Sequence, residues 1–160
     1  MPTAGQRCVV IGIGNPDRGD DGVGRRVAQS LRGRLRPEVE ILEHGGEAAS
    51  LLACLEGVAA AYLIDACLSD APAGTVQRFD VTQMPLPLDR FGFSSHAIGL
   101  AQGVELARVL DRLPARCVVY AVEAASVATG AGLSPPVAGA VEAVCEALQA
   151  EIQDRGAADD

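Results

Sequence analysis

"GIGNPDRGDDGVG", residues 12–24, directly follows the apolar run of residues 8–11. The stretch holds five glycines and three aspartates, and its Asn15 is the only asparagine in the chain. An apolar run of this kind predicts a buried strand, and clustered glycines predict a sharp turn after it. Apolar residues then recur at the spacing of one helical face, at Val23, Val27, Leu31 and Leu35. We therefore expect a strand, a turn that carries carboxylates, and a helix.

The rest of the chain repeats this alternation of strand-like runs and helical patterns. The further strand-like runs lie at residues 39–42, 59–65, 76–81 and 116–124. The direction of the strand at residues 76–81 stays open. Because such alternation is typical of α/β domains, we predict a three-layer sandwich of the phosphorylase/hydrolase type, in which helices flank a mainly parallel, five-stranded sheet.

A chain of 160 residues fits a single domain. We expect this domain to span residues 1–154 and residues 155–160 to form a disordered tail. Residues 82–95 predict a long loop, followed by a helix that starts near His96 and is capped by Ser94 or Ser95. Ser134 and the proline after it predict the start of the last helix, with the serine as its cap.

The composition argues against several classes of function. The formal net charge is −8 and no basic stripe is present, so we expect no nucleic-acid partner. All 13 basic residues are arginine, which excludes Schiff-base chemistry on lysine and the lysine of a P-loop. No apolar stretch reaches the roughly 18 residues that a bilayer span requires, and no secretory signal is visible. We therefore expect a cytoplasmic protein with no membrane partner.

The five cysteines are odd in number and lack any C-x-x-C spacing. Most lie among Val, Leu and Ala, which favours reduced core residues over a disulfide framework or a zinc ribbon. Cys67 lies two residues beyond Asp65, and we interpret it as a buried thiol rather than a nucleophile.

Four polar residues lie where predicted strands end or a helix starts: Asp20, Asp21, Asp65 and His96. In open α/β sheets the ligand site lies beyond the carboxyl ends of the strands. Carboxylates with an imidazole suit a divalent metal such as nickel or zinc. Each residue also has a structural interpretation, with Asp21 as a helix N-cap, Asp65 as an Asx-turn residue and His96 as a hydrogen-bonded structural histidine.

Two nearby patterns give weaker signals. The glycine-rich stretch lacks the third glycine of a dinucleotide fingerprint, and Asp20 and Asp21 would face the pyrophosphate. His44 precedes two glycines after the second strand, and we interpret it, with Glu47, as a supporting or solvent-facing residue.

Three blocks together carry a family resemblance: "GIGNPDRGDDGVG", then "YLIDA" at residues 62–66, then "SSHAIGL" at residues 94–100. With the later "GLSPPVAGAVEAV", they resemble the nickel-iron hydrogenase maturation endopeptidases over nearly the whole chain. The resemblance implies a cytoplasmic protease that removes a short carboxyl-terminal extension from a hydrogenase large-subunit precursor after nickel insertion. Where this family usually has Asp-Gly-Gly after the second strand, this chain has His44-Gly45-Gly46, and the hydrogenase it serves stays open.

The resemblance also implies roles for single residues. The metal-binding positions of the family fall on Asp21, Asp65 and His96, which would bind nickel that the precursor supplies. Asp20 is a candidate carboxylate for assisting the attacking water. We assign Gly14, Asn15, Gly45 and Gly46 to the loops that face the substrate, since glycines allow close backbone approach. We expect no organic cofactor and a monomer that acts on the nickel-loaded precursor.

Two alternatives stay open. "GIGNP" also resembles the start of bacterial peptidyl-tRNA hydrolases, but the histidine expected soon afterwards is absent and the surface is acidic. A metal-sensing assembly chaperone that binds the precursor without cutting it would use the same ligands.

Overall fold

The computed structural model describes the backbone of residues 7–87 and 95–159, and the side chains of residues 7–87 and 99–154. The strands are β1 (Cys8–Ile13), β2 (Val39–His44), β3 (Ala60–Cys67), β4 (Val76–Asp80) and β5 (Arg116–Glu123). The helices are α1 (Val23–Leu31), α2 (Ala48–Leu55), α3 (Ser95–Val109) and α4 (Pro135–Asp159). A 3-10 turn, Gly19–Gly22, leads directly into α1.

In the described part of the chain, the strands form one sheet in the order β2-β1-β3-β5-β4. β1 pairs in parallel with β2 and β3, and β3 pairs in parallel with β5. β4 runs antiparallel to β5 at the edge of the sheet, which answers the open question of its direction. Parallel strands covered on both faces are apolar along their whole length, and every residue of β3 is accordingly buried.

Helices cover both faces of the sheet and bury two separate apolar cores. On one face α1 and α4 supply the residues Val27, Leu31, Val144 and Leu148. On the other face α2 and α3 supply the residues Leu51, Leu55, Leu100 and Val104. This arrangement confirms the predicted α/β sandwich with its mainly parallel, five-stranded sheet. The carboxyl ends of the parallel strands lie at one end of the sheet, and the candidate site lies there.

The cysteines are free thiols, as the sequence predicted. The five cysteines form no disulfide, and Cys67, Cys117 and Cys145 are buried. The loop expected at residues 82–95 lies partly outside the described residues. α3 begins at Ser95, close to the start expected near His96, but the side chains of Ser94 and Ser95, the two expected caps, lie outside the described residues. Helix α4 runs to Asp159, and the domain limit at residue 154 with its tail stays a prediction. None of the described helices is long and apolar enough to cross a membrane.

Candidate active site

Asp65 is a fully buried carboxylate in the central strand β3. Its Oδ1 accepts a hydrogen bond of 2.8 Å from the Ala66 N–H, and its Oδ2 has no hydrogen-bond partner among the described residues. Burial raises the pKa of Asp65 well above its usual value, the charge of Asp21 raises it further, and the Ala66 bond lowers it. A buried polar oxygen without a partner is costly, so Asp65 needs either a proton or a cation.

Asp65 does not lie at a turn. β3 continues through Ala66 and Cys67, both paired with β5, so the Asx-turn hypothesis and the strand end expected at Asp65 are wrong. Side chains alternate along a strand, which places Asp65 on the same sheet face as Leu63 and Cys67. That face is the one covered by α2 and α3. Asp65 therefore lies on the side of the sheet covered by α3, the helix whose first turn contains His96.

Asp21 is the second buried carboxylate of the site and lies in the 3-10 turn. Its Oδ2 accepts a hydrogen bond of 3.0 Å from the Asn15 N–H. Gly22, and not Asp21, occupies the N-cap position of α1, so the helix-cap hypothesis is wrong. The charge of Asp21 contributes to the raised pKa of Asp65, so the fold brings these two aspartates, 44 positions apart in the printed sequence, into electrostatic contact.

The glycines of the first block allow the chain to pack tightly against itself. A Cβ at Gly14, where φ is +143°, would lie 1.9 Å from the Asp21 carbonyl oxygen. A Cβ at Gly24 would lie 2.3 Å from the Ile64 carbonyl oxygen and 2.4 Å from that of Ile13. The start of α1 therefore rests directly on β1 and β3. At Gly14, which we assigned to a substrate-facing loop, the close approach is to the protein's own backbone.

Asp20 is buried like its neighbour, but its carboxylate faces a different segment. It accepts hydrogen bonds from the Ala125, Ser126 and Ser134 N–H groups at 2.7, 3.0 and 2.7 Å, and from the Ser134 hydroxyl at 2.8 Å. Burial alone would raise the pKa of Asp20, but these bonds lower it below its usual value. The four donors hold Asp20 ionised and fasten the 3-10 turn to the segment before α4. Ser134 does precede α4 as predicted, and its hydroxyl donates to Asp20.

His44 is the last residue of β2, and its ring is hydrogen-bonded to the loop that follows. Its Nδ1 accepts a hydrogen bond of 2.8 Å from the Gly46 N–H, so the ring proton lies on Nε2, 2.6 Å from the Ser50 Oγ. Burial lowers the pKa of His44, partly opposed by Glu47. His44 is therefore a neutral ring that shapes its own loop. The Glu47 side chain is 75% exposed, in agreement with its interpretation as solvent-facing.

The loop of His44 lies against the start of α3. A Cβ at Gly99 would lie 1.9 Å from the Gly46 carbonyl oxygen, so helix and loop are in direct backbone contact. His96 lies in the first turn of α3, three residues before Gly99, and its side chain is outside the described residues. Among the side chains that the structure describes, no group of three His, Cys, Asp or Glu is placed to hold a metal ion. The three-ligand set with His96 stays a prediction.

Glu123 is a buried acid that the sequence reasoning missed. It ends β5 and is 2% exposed, and its Oε2 accepts a hydrogen bond of 2.7 Å from the Ser69 N–H. Its Oε1 accepts from the Ser69 hydroxyl and, at 3.9 Å, from the Cys67 thiol. Glu123 thus anchors the segment that follows Asp65. An acid at the end of an apolar strand, the signal that singled out Asp65, would also have found Glu123.

Comparison with known proteins identifies one family. A family model described as "Hydrogenase maturation protease" matches residues 25–151, a range that includes Asp65 and His96 and begins after Asp21. The "Hydrogenase 2 maturation protease" of Escherichia coli K12 is 28% identical over 153 residues, which are 94% of this chain and 93% of that protein.

Two solved structures share the fold. The hydrogenase maturating endopeptidase HybD from E. coli superposes with a TM-score of 0.83 at 25% identity and covers 94% of each chain. The [NiFe] hydrogenase maturation protease HybD from Thermococcus kodakarensis superposes with a TM-score of 0.71 at 25% identity, over 90% of this chain and 97% of that one.

Proposed function

This chain belongs to the hydrogenase maturation protease family, and we propose that it removes the carboxyl-terminal extension of a nickel-iron hydrogenase large-subunit precursor after nickel insertion. The peptidase activity itself follows from the family. The site of cleavage and the dependence on nickel are the parts that we propose. We further propose that the enzyme acts as a monomer in the cytoplasm without an organic cofactor. Five cysteines without a disulfide are compatible with that reducing compartment.

The proposal rests mainly on the unsatisfied Oδ2 atom of Asp65. This atom is a buried carboxylate oxygen without a hydrogen-bond partner in the described residues, beside the second buried carboxylate of Asp21. Two acidic groups in a site sheltered from water repel each other and favour a cation. A metal ion carried by the precursor would supply the missing positive charge at this place.

The donor set also suits nickel. We propose that Asp21 and Asp65 contribute carboxylate oxygens and that His96 contributes an imidazole nitrogen, a combination that borderline divalent metals accept. Nickel is here part of the substrate, so its arrival tells the enzyme that insertion is complete. Other coordination positions then stay with the precursor or with water.

For the cleavage step, the contacts of Asp20 change the assignment of roles. With four donors and a lowered pKa, Asp20 is a weak base, so we propose that it positions the 3-10 turn and does not activate water. The carboxylates that remain for orienting the attacking water are those of Asp21 and Asp65. The two alternatives, a non-cleaving chaperone and a peptidyl-tRNA hydrolase, receive no support from the comparisons, because the relatives are named as proteases.

Purified protein incubated with nickel-loaded and nickel-free large-subunit precursor tests this proposal. We expect only the nickel-loaded form to shorten, and the intact mass and the sequence of the new carboxyl terminus then give the cleaved bond. Shortening of both forms at equal rates would contradict nickel recognition. Stable binding of the loaded precursor without shortening would restore the chaperone alternative.

A further inference from the structure

A groove lies beside the candidate site, between the start of α1 and the segment before α4. It is lined by Gly22, Arg25, Arg26, Gln29 and Gly132, among others. Gly22 directly follows Asp21, so the groove adjoins the turn that holds this carboxylate.

The two arginines give the groove a positive charge that the protein itself neutralises only in part. The Arg25 Nε donates to the Gly14 carbonyl oxygen at 2.7 Å, and its Nη1 lies 3.9 Å from Glu43 Oε1. Arg26 is exposed and has no hydrogen bond or ion pair with the described side chains, and the first turn of α1 contains no acid. This cationic spot stands out on a chain with a formal net charge of −8.

The opposite wall of the groove is open. Apart from its two chain neighbours, no described residue has an atom within 4 Å of a Cβ built at Gly132, which is exposed. Leu133, the next residue, also lines this wall. The groove thus offers the exposed Arg26 guanidinium on one wall and open space at Gly132 on the other.

We propose that this groove binds an acidic segment of the precursor polypeptide, with Arg26 as the main contact and Arg25 as a supporting charge. The inference rests on the proposed function, since it takes the precursor as the occupant. A guanidinium matches a carboxylate with two parallel hydrogen bonds, and the surrounding negative charge of the protein repels acidic segments elsewhere. The groove would then select precursors that carry acidic residues close to the cleaved bond.

Peptide binding tests the groove independently of cleavage. The probes are fluorescein-labelled hexaglutamate with an amidated end and hexaglutamine with a free terminal carboxylate, measured by fluorescence anisotropy at low salt. We expect hexaglutamate to bind the wild-type protein. Arg26→Glu should raise the Kd of this peptide about tenfold or more, the loss expected for a charge-assisted contact. The matched control is Arg36→Glu, which we expect to leave Kd nearly unchanged. Arg36 is exposed and lies shortly before β2, so it lies near the amino ends of the parallel strands and not at their carboxyl ends.

A steric variant gives a second, independent test. Gly132→Glu places a charged side chain in the groove, and Gly139→Glu makes the same change at an exposed position of α4 with equally open space. We expect only the first to abolish hexaglutamate binding. Equal affinities in Arg26→Glu and Arg36→Glu, or binding of the hexaglutamine probe alone through its terminal carboxylate, would overturn the proposal. Failure of the wild-type enzyme to shorten the nickel-loaded precursor, with peptide binding intact, would instead contradict the proposed function.

Discussion

Asp20 and Ser134 are joined by two hydrogen bonds, one from the Ser134 N–H to Oδ1 at 2.7 Å and one from the Ser134 hydroxyl to Oδ2 at 2.8 Å. These two residues, 114 positions apart in the chain, connect the 3-10 turn to the start of α4. Asp21, the next residue, faces the Asn15 N–H instead. One aspartate of the pair thus holds the fold, and the other is directed toward the candidate site.

Replacing Asp20 tests its positioning role. In Asp20→Asn an NH2 group replaces one carboxylate oxygen and cannot accept the hydrogen bonds of the donors around it, so we expect a loss of about 3 kcal/mol in the free energy of unfolding. Urea denaturation at neutral pH measures this loss. Asp17→Asn, at an exposed neighbour, serves as the control and should change stability by less than about 0.5 kcal/mol. Unchanged stability of Asp20→Asn would contradict the positioning role.

Asp65→Asn separates the needs of folding from those of function. Because the pKa of Asp65 is raised by burial in the folded state, wild-type protein loses stability as the pH rises through that pKa. An amide carries no charge, so in metal-free protein with EDTA we expect Asp65→Asn to be more stable than wild type at pH 8, with a smaller difference at pH 5. The measurement is urea denaturation at both values. A variant less stable than wild type at pH 8 would refute the argument, and Asp154→Asn on the exposed face of α4 is the control.

The proposed ligand set predicts graded effects on processing. Asp21→Glu keeps a carboxylate and should retain part of the shortening rate of the nickel-loaded precursor. Asp65→Ala and His96→Ala each remove a ligand and should lower that rate by about 100-fold or more. The rates are read from intact mass spectra over time, and circular dichroism checks that each variant is folded. Normal processing by both alanine variants would show that the ligand assignment is incorrect.

Two glycine substitutions should have opposite effects on stability. In Gly24→Ala the new Cβ meets the backbone oxygens of Ile64 and Ile13, so we expect a loss of about 3 kcal/mol as α1 is pushed off the sheet. In Gly139→Ala the Cβ meets open space on a helix surface, so we expect a gain of about 0.5–1 kcal/mol. Thermal unfolding followed by circular dichroism compares the two. A stabilised Gly24→Ala would contradict the close packing of α1 on β1 and β3.

Glu151 of α4 should contribute to stability in a pH-dependent way. Burial would raise its pKa, but hydrogen bonds from Arg78, Tyr120 and Arg116 lower the pKa below its usual value. The stabilisation is therefore present at neutral pH and is lost as the pH falls through the folded-state pKa. We expect Glu151→Gln to cost about 2 kcal/mol at pH 7 and clearly less below about pH 4. Urea denaturation across this range measures the effect, with exposed Glu146→Gln as control; a cost that does not change with pH would contradict it.

Much of the fold could be predicted from local pattern. Parallel strands buried on both faces are apolar throughout, and helices buried on one face carry an apolar stripe. The order of strands and helices can therefore be predicted from the sequence. Strand direction at the edge was not predictable, because β4 is defined by its pairing with β5 rather than by its own residues. The exact end of β3 was missed for the same reason, since its last residues are held by partners on β5.

The sequence by itself determined the order of strands and helices, the family blocks, and the set of acids among which the site would be found. Only the tertiary structure decided which acid does what. Asp20 and Asp21 are identical and adjacent, but the donors to Asp20 lie more than 100 residues away in the chain. Asp21 instead acts on Asp65 of β3, whose pKa its charge raises. The role of a carboxylate depends on the donors, charges and solvent around it, and these arrive from distant parts of the chain only when it folds.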